Sequence, residues 1–374
     1  MICPHDFIKA LAKNNITRFA GVPDSLLKEL CHAFDSDCSP DRHVITANEG
    51  NAIGLAIGHH IATGEFAAVY MQNSGLGNAV NPLVSLAAPE IYEVGMLLLI
   101  GWRGEPGVKD EPQHALQGRI TKQLLEVIGI PYHVIDPDRS ADEQISSFFG
   151  RVSLKRGPAA LLIRKGTFSK ASRAPAAGII SGMLREDFLK HLLANTSESD
   201  LLVATTGKTS RELFELREAR SEPHRDFLVV GGMGHASSIA LGMAVARTER
   251  RVWCLDGDGA MLMHMGALPI IAGKCSPANL IYVLLNNGVH ESVGGQQTAA
   301  GKIDMQKLAA ACGFSKYLQI SDRESCLRVL EQTKYDEGPM FIEAVLLPGS
   351  REDLGRPTIS PIENKLELMR FLNV

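Results

Sequence analysis

Two apolar runs in the second half of the chain end in polar groups flanked by glycine. "RRVWCL" runs into Asp256-Gly257-Asp258-Gly259, and "NLIYVLL" runs into Asn286-Asn287-Gly288, with residues 260–285 between the two motifs. A carboxylate and a carboxamide at two strand ends are hard oxygen donors. A divalent cation such as Mg2+ takes oxygens in octahedral geometry and commonly shares them with a phosphate ligand. The glycines let backbone approach such a ligand, and the N–H groups that open the next helix face its charge. An EF-hand loop is excluded: counted from Asp256, the sixth and twelfth positions are Met261 and Ala267 instead of Gly and Glu. A plain strand-to-helix turn remains the alternative for the first motif alone.

Other segments carry groups capable of chemistry. Gly207-Lys208-Thr209 looks like the end of a P-loop, but the glycine required five positions before Gly207 is replaced by Leu202. "VVGGMGHASS" is a glycine loop capped by Ser237 and Ser238 before a helix. In "ITANEGNAIG", Glu49 stands at the start of an apolar helix, where a carboxylate also suits the helix dipole. "GVPDS" places Asp24 and Ser25 in a turn, and "QNSG" offers Gln72, Asn73 and Ser74. "GWRGEPGVKDEPQHALQG" is too polar to be core and reads as a long functional loop with His114, Arg103 and Lys109, followed directly by Arg119; Lys109 fits exposed surface. His59-His60, inside the Glu49 helix, fits packing or surface.

The elements that must hold these groups alternate along the chain. "ITRFAG", "HVITA", "FAAVYMQ", "GMLLLIGW", "PYHVID" and "PAALLIR" read as strands of a first half. "DLLVATT", "DFLVVGG", "RRVWCLDG", "NLIYVLLNN" and "MFIEAVLL" read as strands of a second. Amphipathic stretches such as "SLLKELCHAF", "ITKQLLEVIG" and "ESCLRVLEQTK" separate them. The pattern predicts an α/β fold with two doubly wound parallel sheets and no middle domain. The expected domains are 1–165 and 184–374, joined by a linker over 166–183 that is basic and then rich in Ala, Gly and Ser.

Composition agrees with a globular protein of this size. Of 374 residues, 45% are hydrophobic and 21% charged, enough for two sizeable cores. The formal net charge of −4 gives no reason to expect nucleic acid or an anionic membrane as partner. The start has no secretion signal, and seven scattered cysteines without a metal-type pair fit a reducing cytoplasm.

Taken together, Gly257-Asp258-Gly259 and Asn286-Asn287 resemble the cofactor motif of the thiamine-diphosphate (ThDP)-dependent enzymes. The resemblance implies ThDP and Mg2+, with Asp258, the Asn287 side chain and the Val289 carbonyl as metal ligands. It implies cofactor contacts from Gly207, Lys208, Gly232, Gly257 and Gly259. Ala260 stands where many relatives have Ser, so that contact to the diphosphate is absent or comes from backbone. Met233 would wedge the cofactor into a bent shape, although a core methionine is an equal reading. Glu49 would exchange a proton with the pyrimidine, and Asn73 and Ser74 would line that ring. Asp24 and Ser25 would face substrate, and His114 would donate a proton to the product.

"GVPDS", "NEGNA", "WRGEPGVKDEPQH" and "NNGVHESVGGQQT" resemble the phosphonopyruvate decarboxylase family, with the sulfopyruvate decarboxylases next. The resemblance implies a small phosphonate-bearing 2-oxo acid as substrate, met by Arg103, Arg119, Ser292, Gly294, Gly295 and Thr298. The segment 291–298 reads equally as a flexible connector. A homo-oligomer with active sites between subunits is also implied. A different class, a non-catalytic nucleotide-binding protein, stays open on the residues alone.

Overall fold

The computed structural model describes residues 1–170 and 182–374. Most of the expected linker, 171–181, lies outside the described residues. The chain divides into two compact units, Met1–Ala176 with Val293–Gln296, and Ala177–Ser292 with Gln297–Val374.

The first unit is built on β1 (Ile16–Gly21), β2 (His43–Ile45), β3 (Phe66–Gln72), β4 (Leu97–Gly101), β5 (Tyr132–Val134) and β6 (Ala159–Ile163). Their spatial order is β2-β1-β3-β4-β6-β5, with every neighbour parallel. The second unit is built on β7 (Leu201–Ala204), β8 (Asp226–Leu228), β9 (Val252–Gly257), β10 (Leu280–Asn286), β11 (Lys316–Ile320) and β12 (Met340–Val345). Its order is β11-β12-β10-β9-β7-β8, again all parallel. Both sheets are the doubly wound type that the alternation predicts.

Parallel sheets bury both faces under helices, which explains the near-continuous apolar runs. Along β3, Ala68 and Tyr70 join one core cluster while Ala67, Val69 and Met71 join another. Along β9, Trp253 and Leu255 face one cluster, and Val252 and Cys254 face the other. The strand missing from the sequence reading is β11. It is an edge strand carrying Lys316 and Gln319, and most of it is only half-buried. Its apolar signal is correspondingly weak.

The topology singles out two places. In the first sheet the winding reverses between β1 and β3, and in the second between β7 and β9. Ligands of open α/β sheets bind beyond the carboxyl ends of the strands at such switch points. Those ends carry Asp24, Gln72, Gly207 and Asp258.

Local signals open the helices that follow. Glu49 begins the helix Glu49–Thr63, capped by the Asn48 side chain accepting from the Asn51 N–H, and Gly64 closes it at φ 73°. The polar segment after β4 differs from the expected loop: a helix, Pro112–Val127, starts inside it with Pro at its first turn. Proline suits that position because its missing N–H would be unpaired there anyway.

Candidate active site

In the first unit the polar side chains gather at the carboxyl ends of β1 to β4. Asp24 is fully buried. The Gln72 Nε2 donates to its Oδ1 at 2.6 Å, and the Leu26 N–H to its Oδ2 at 3.1 Å. Burial pushes this carboxyl above its ordinary range, and the Gln72 bond and the nearby Arg103 charge offset part of that. A Cβ on Gly101 would lie 2.0 Å from Asp24 Oδ2, so only glycine leaves room at the end of β4.

Arg103 donates to Ser25 Oγ at 2.8 Å through Nη1 and to Asp110 Oδ2 at 2.7 Å through Nε. Its Nη2 completes a two-pronged pair with Asp110. Asp110 also accepts the N–H groups of Gly104 and Glu111, each at 2.8 Å. Burial works against ionised Asp110, but these partners hold its carboxyl well below the usual range. The Arg103 charge is therefore already matched inside the unit. Asn73 joins the ends of β3 and β4, donating to the Arg103 carbonyl at 2.8 Å and accepting its N–H at 3.2 Å. The same amide reaches Thr121 Oγ1 at 2.9 Å. Ser74 donates to Gln72 Oε1 at 2.9 Å.

Glu49 is buried, 5% exposed. The Asn78 Nδ2 donates to its Oε2 at 2.8 Å, and Oε1 lies over Gly75, where a Cβ would come within 2.4 Å. One carboxylate oxygen is thus anchored, and the other stands in a space that glycine keeps clear. His114 is buried in the first turn of Pro112–Val127. The tight fit of Gly104 against the His114 backbone, 2.0 Å from a hypothetical Cβ, fixes that turn. Arg119 is exposed on the same helix and makes no ion pair among the described residues.

In the second unit the two acids of the Asp256–Gly259 turn part company. Asp256 is fully buried and accepts the Tyr282 hydroxyl at 3.0 Å and the Gly257 N–H at 3.0 Å. Burial pushes its carboxyl up to about 6. Asp258 opens the short helix Asp258–Met263, is 3% exposed and accepts the Thr298 hydroxyl. Burial raises this carboxyl too, against the pull of Thr298 and nearby backbone N–H groups. A Cβ on Gly259 would strike the His290 ring at 2.8 Å, so glycine is required there. Burial pushes the His290 imidazole down to about 4.

Asn287 lies beyond β10. Its Oδ1 accepts the Val289 N–H at 3.2 Å, and its Nδ2 donates to Glu291 Oε2 at 2.9 Å. The Val289 carbonyl accepts the Glu291 N–H at 2.9 Å. The chain then folds back, with Val289 bridged to Gln297 and the Thr298 N–H donating to the Gly288 carbonyl at 2.9 Å. Glu291 also takes Lys208 Nζ and Arg185 Nη1, each at 2.8 Å. Although burial opposes its ionisation, Arg185 and Lys208 keep this carboxyl below its usual range. Gly207, at φ 98°, lies against Ser292. Gly232, at φ 55°, and half-buried Met233 form a turn whose Gly234 packs on the Ala260 carbonyl.

Asp258, Asn287, Val289 and Thr298 are thus brought together through one folded-back loop. Lys208 joins them through Glu291. Within the expected anion loop, Ser292 faces Gly207, the Thr298 hydroxyl donates to Asp258, and the Gly294 carbonyl pairs with His32 Nε2 at 3.0 Å. Gly294 and Gly295 belong to the segment grouped with the first unit. Sequence reasoning missed Glu291, Asp110, Asn78 and Tyr282 as supporting groups. Tyr282 and Asp256, like Glu291 and its partners Arg185 and Lys208, are far apart in sequence, so no local pattern marks those contacts.

Residues 3–125 match the family model described as "Thiamine pyrophosphate enzyme, N-terminal TPP binding domain", and residues 205–344 match "Thiamine pyrophosphate enzyme, C-terminal TPP binding domain". The chain is 35% identical to a phosphonopyruvate decarboxylase of Streptomyces viridochromogenes, over 97% of this chain and 93% of the relative. It is 34% identical to a phosphonopyruvate decarboxylase of Streptomyces hygroscopicus, over 97% and 92%. A sulfopyruvate decarboxylase of Methanosarcina acetivorans is 29% identical, over 98% and 97%.

Proposed function

The chain belongs to the thiamine pyrophosphate enzyme family, and from that premise we propose that it decarboxylates 3-phosphonopyruvate to phosphonoacetaldehyde and carbon dioxide. It is a ThDP-dependent carboxy-lyase. The companion ion in this reading is Mg2+, and the product belongs to phosphonate biosynthesis, of the 2-aminoethylphosphonate type. The observation that carries the reading is the linked set Asp258, Asn287 and Val289 beyond β9 and β10.

That set fits the groups it would hold. Among the described residues no three His, Cys, Asp or Glu side chains gather as a metal cage. One carboxylate, one amide oxygen and one carbonyl are what Mg2+ accepts when a diphosphate and water supply the rest. The Asn287 Oδ1 and the Val289 carbonyl each spend one lone pair inside the loop and keep a second. Gly257, Gly259, Ala260, Gly207 and Lys208 would accept the diphosphate, and Gly232 and Met233 the ring system. ThDP, when bound, supplies a nucleophilic carbon and a cationic ring that takes up the electrons released with carbon dioxide.

The protein's own groups move protons and hold the substrate. Glu49 would exchange a proton with the pyrimidine ring, while Asn78 holds its Oε2. Asn73 and Ser74 would line that ring. Asp24 and Ser25 face the substrate, and His114 delivers a proton to the product. Arg103 acts through Ser25, because Asp110 matches its charge. Arg119, Ser292, Gly294, Gly295 and Thr298 are the remaining substrate candidates. The phosphonate clamp must not stabilise the carboxylate equally well, since only interactions stronger in the transition state speed the step.

The full-length sulfopyruvate decarboxylase relative supports a second reading, sulfopyruvate as substrate. The sulfonate and phosphonate analogues differ only at the distant anion. The assembly in this reading is a homo-oligomer in which the first unit of one chain faces the second unit of another. The domains are 1–165 and 184–374, and the setting is cytoplasmic. Its seven cysteines are free thiols, and among the described residues no helix is long and apolar enough to cross a membrane. The test is decarboxylation after exhaustive dialysis against chelator. Activity should return only when ThDP and Mg2+ are both added back. Full activity without ThDP would refute the reading.

A further inference from the structure

Glu291 is absent from the set of groups that hold cofactor or substrate, yet three polar side chains converge on it. Its Oε1 takes Lys208 Nζ at 2.8 Å. Its Oε2 takes Arg185 Nη1 at 2.8 Å and Asn287 Nδ2 at 2.9 Å. Arg185 is itself fixed by a two-pronged pair with Glu212, at 2.7 and 2.8 Å, and Glu212 is 1% exposed. A chain of contacts therefore runs from the buried Glu212 through Arg185 and Glu291 to Asn287. All four residues lie in the second unit.

The chemistry of the contact decides the orientation of an amide. A carboxylate accepts hydrogen bonds and donates none, whereas a carboxamide has one face of each kind. Glu291 can meet only the NH2 face of Asn287. The oxygen must then point the other way, toward the Val289 N–H that donates to it at 3.2 Å. Without the carboxylate, only the 3.2 Å contact from the Val289 N–H opposes the other flip of the amide. That flip would turn NH2 toward the cation expected beside Asp258.

We infer that Glu291 is the positioning residue that sets the amide of Asn287 oxygen-first for a divalent cation, with Lys208 and Arg185 holding its carboxylate in place. The inference rests on the Mg2+ reading above. Groups that orient a metal ligand from behind typically change metal affinity about 10- to 100-fold when removed.

The test reads ThDP binding by titration calorimetry across a Mg2+ series, so it does not depend on turnover. Glu291→Gln presents an amide that both donates and accepts, and it should raise the Mg2+ concentration for half-maximal ThDP binding roughly tenfold or more. Adding Asn287→Asp to that variant supplies two equivalent acceptor oxygens, so orientation no longer matters. The double variant should recover most of the lost affinity. Asn287→Asp alone keeps Arg185 and Lys208 paired and does not depend on Glu291→Gln folding. It sets two acceptor-only carboxylates face to face, so it should weaken the Mg2+ dependence. Were Glu291 irrelevant, a carboxylate at 287 would strengthen it.

Unchanged Mg2+ dependence in folded Glu291→Gln would overturn the inference and leave the Mg2+ reading intact. So would a double variant no better than Glu291→Gln, or tighter Mg2+ dependence in Asn287→Asp alone. ThDP binding by the wild-type protein that ignores Mg2+ would overturn both.

Discussion

The hydroxyl of Tyr282 donates to Asp256 Oδ2 at 3.0 Å, which turns the first acid of the Asp256–Gly259 turn into the sheet. The second acid, Asp258, takes the Thr298 hydroxyl and faces the loop after β10. The two carboxylates therefore have separable roles. Asp256→Asn keeps an acceptor for Gly257 and a partner for Tyr282. It should leave Mg2+-dependent ThDP affinity within about twofold and, by removing a buried charge, leave stability unchanged or raised. Asp258→Asn should weaken that affinity by about tenfold or more. Calorimetric titration of both variants checks this, and equal losses would contradict it.

Glu49 holds its second carboxylate oxygen, Oε1, over Gly75. Glu49→Gln keeps the shape and the Asn78 contact through its oxygen, but it removes the exchangeable proton. ThDP binding should change only a few-fold while kcat falls by about 100-fold or more, the usual worth of a positioned acid–base group. Single-turnover kinetics separates the two effects. Unaltered kcat would remove Glu49 from the mechanism.

The Arg103–Asp110 pair gives stability a defined pH dependence. The Asp110 carboxyl lies lower folded than unfolded, so its contribution is complete above about pH 4, where the unfolded carboxyl ionises. It is lost as pH falls toward the folded value. Asp110→Asn should cost about 2 kcal/mol at neutral pH, the scale of lost charge-assisted hydrogen bonds, and progressively less below pH 4. Denaturant unfolding over a pH series tests this. A difference between the two proteins that stays constant with pH would contradict it.

A homo-oligomer with shared sites predicts complementation. Glu49→Gln and Asp258→Ala chains, each inactive alone, should regain activity when mixed and allowed to exchange. Random pairing in dimers leaves one intact site in half of the assemblies, about a quarter of wild-type activity. No recovery, despite exchange demonstrated by mass spectrometry, would mean that each site is built within one chain.

Much of this architecture is legible in the sequence because parallel strands buried on both faces must be continuously apolar. The runs ending at Gly257 and Asn286 announce both strand and site. β11 escapes because an edge strand with Lys316 and Gln319 carries no such run. His114 reads as a loop residue because its surroundings are polar, while Pro112 in fact starts a helix there. Glu291 is illegible for a different reason. Its partners Arg185 and Lys208 lie 106 and 83 positions away, and only the fold brings them to it.

The central claim concerns the substrate, and kcat/KM for 3-phosphonopyruvate, sulfopyruvate and pyruvate with ThDP and Mg2+ tests it most directly. The account predicts the highest value for phosphonopyruvate, with phosphonoacetaldehyde and carbon dioxide formed in equal amounts. Equal or faster turnover of sulfopyruvate, or no ThDP-dependent release of carbon dioxide from phosphonopyruvate, would contradict it.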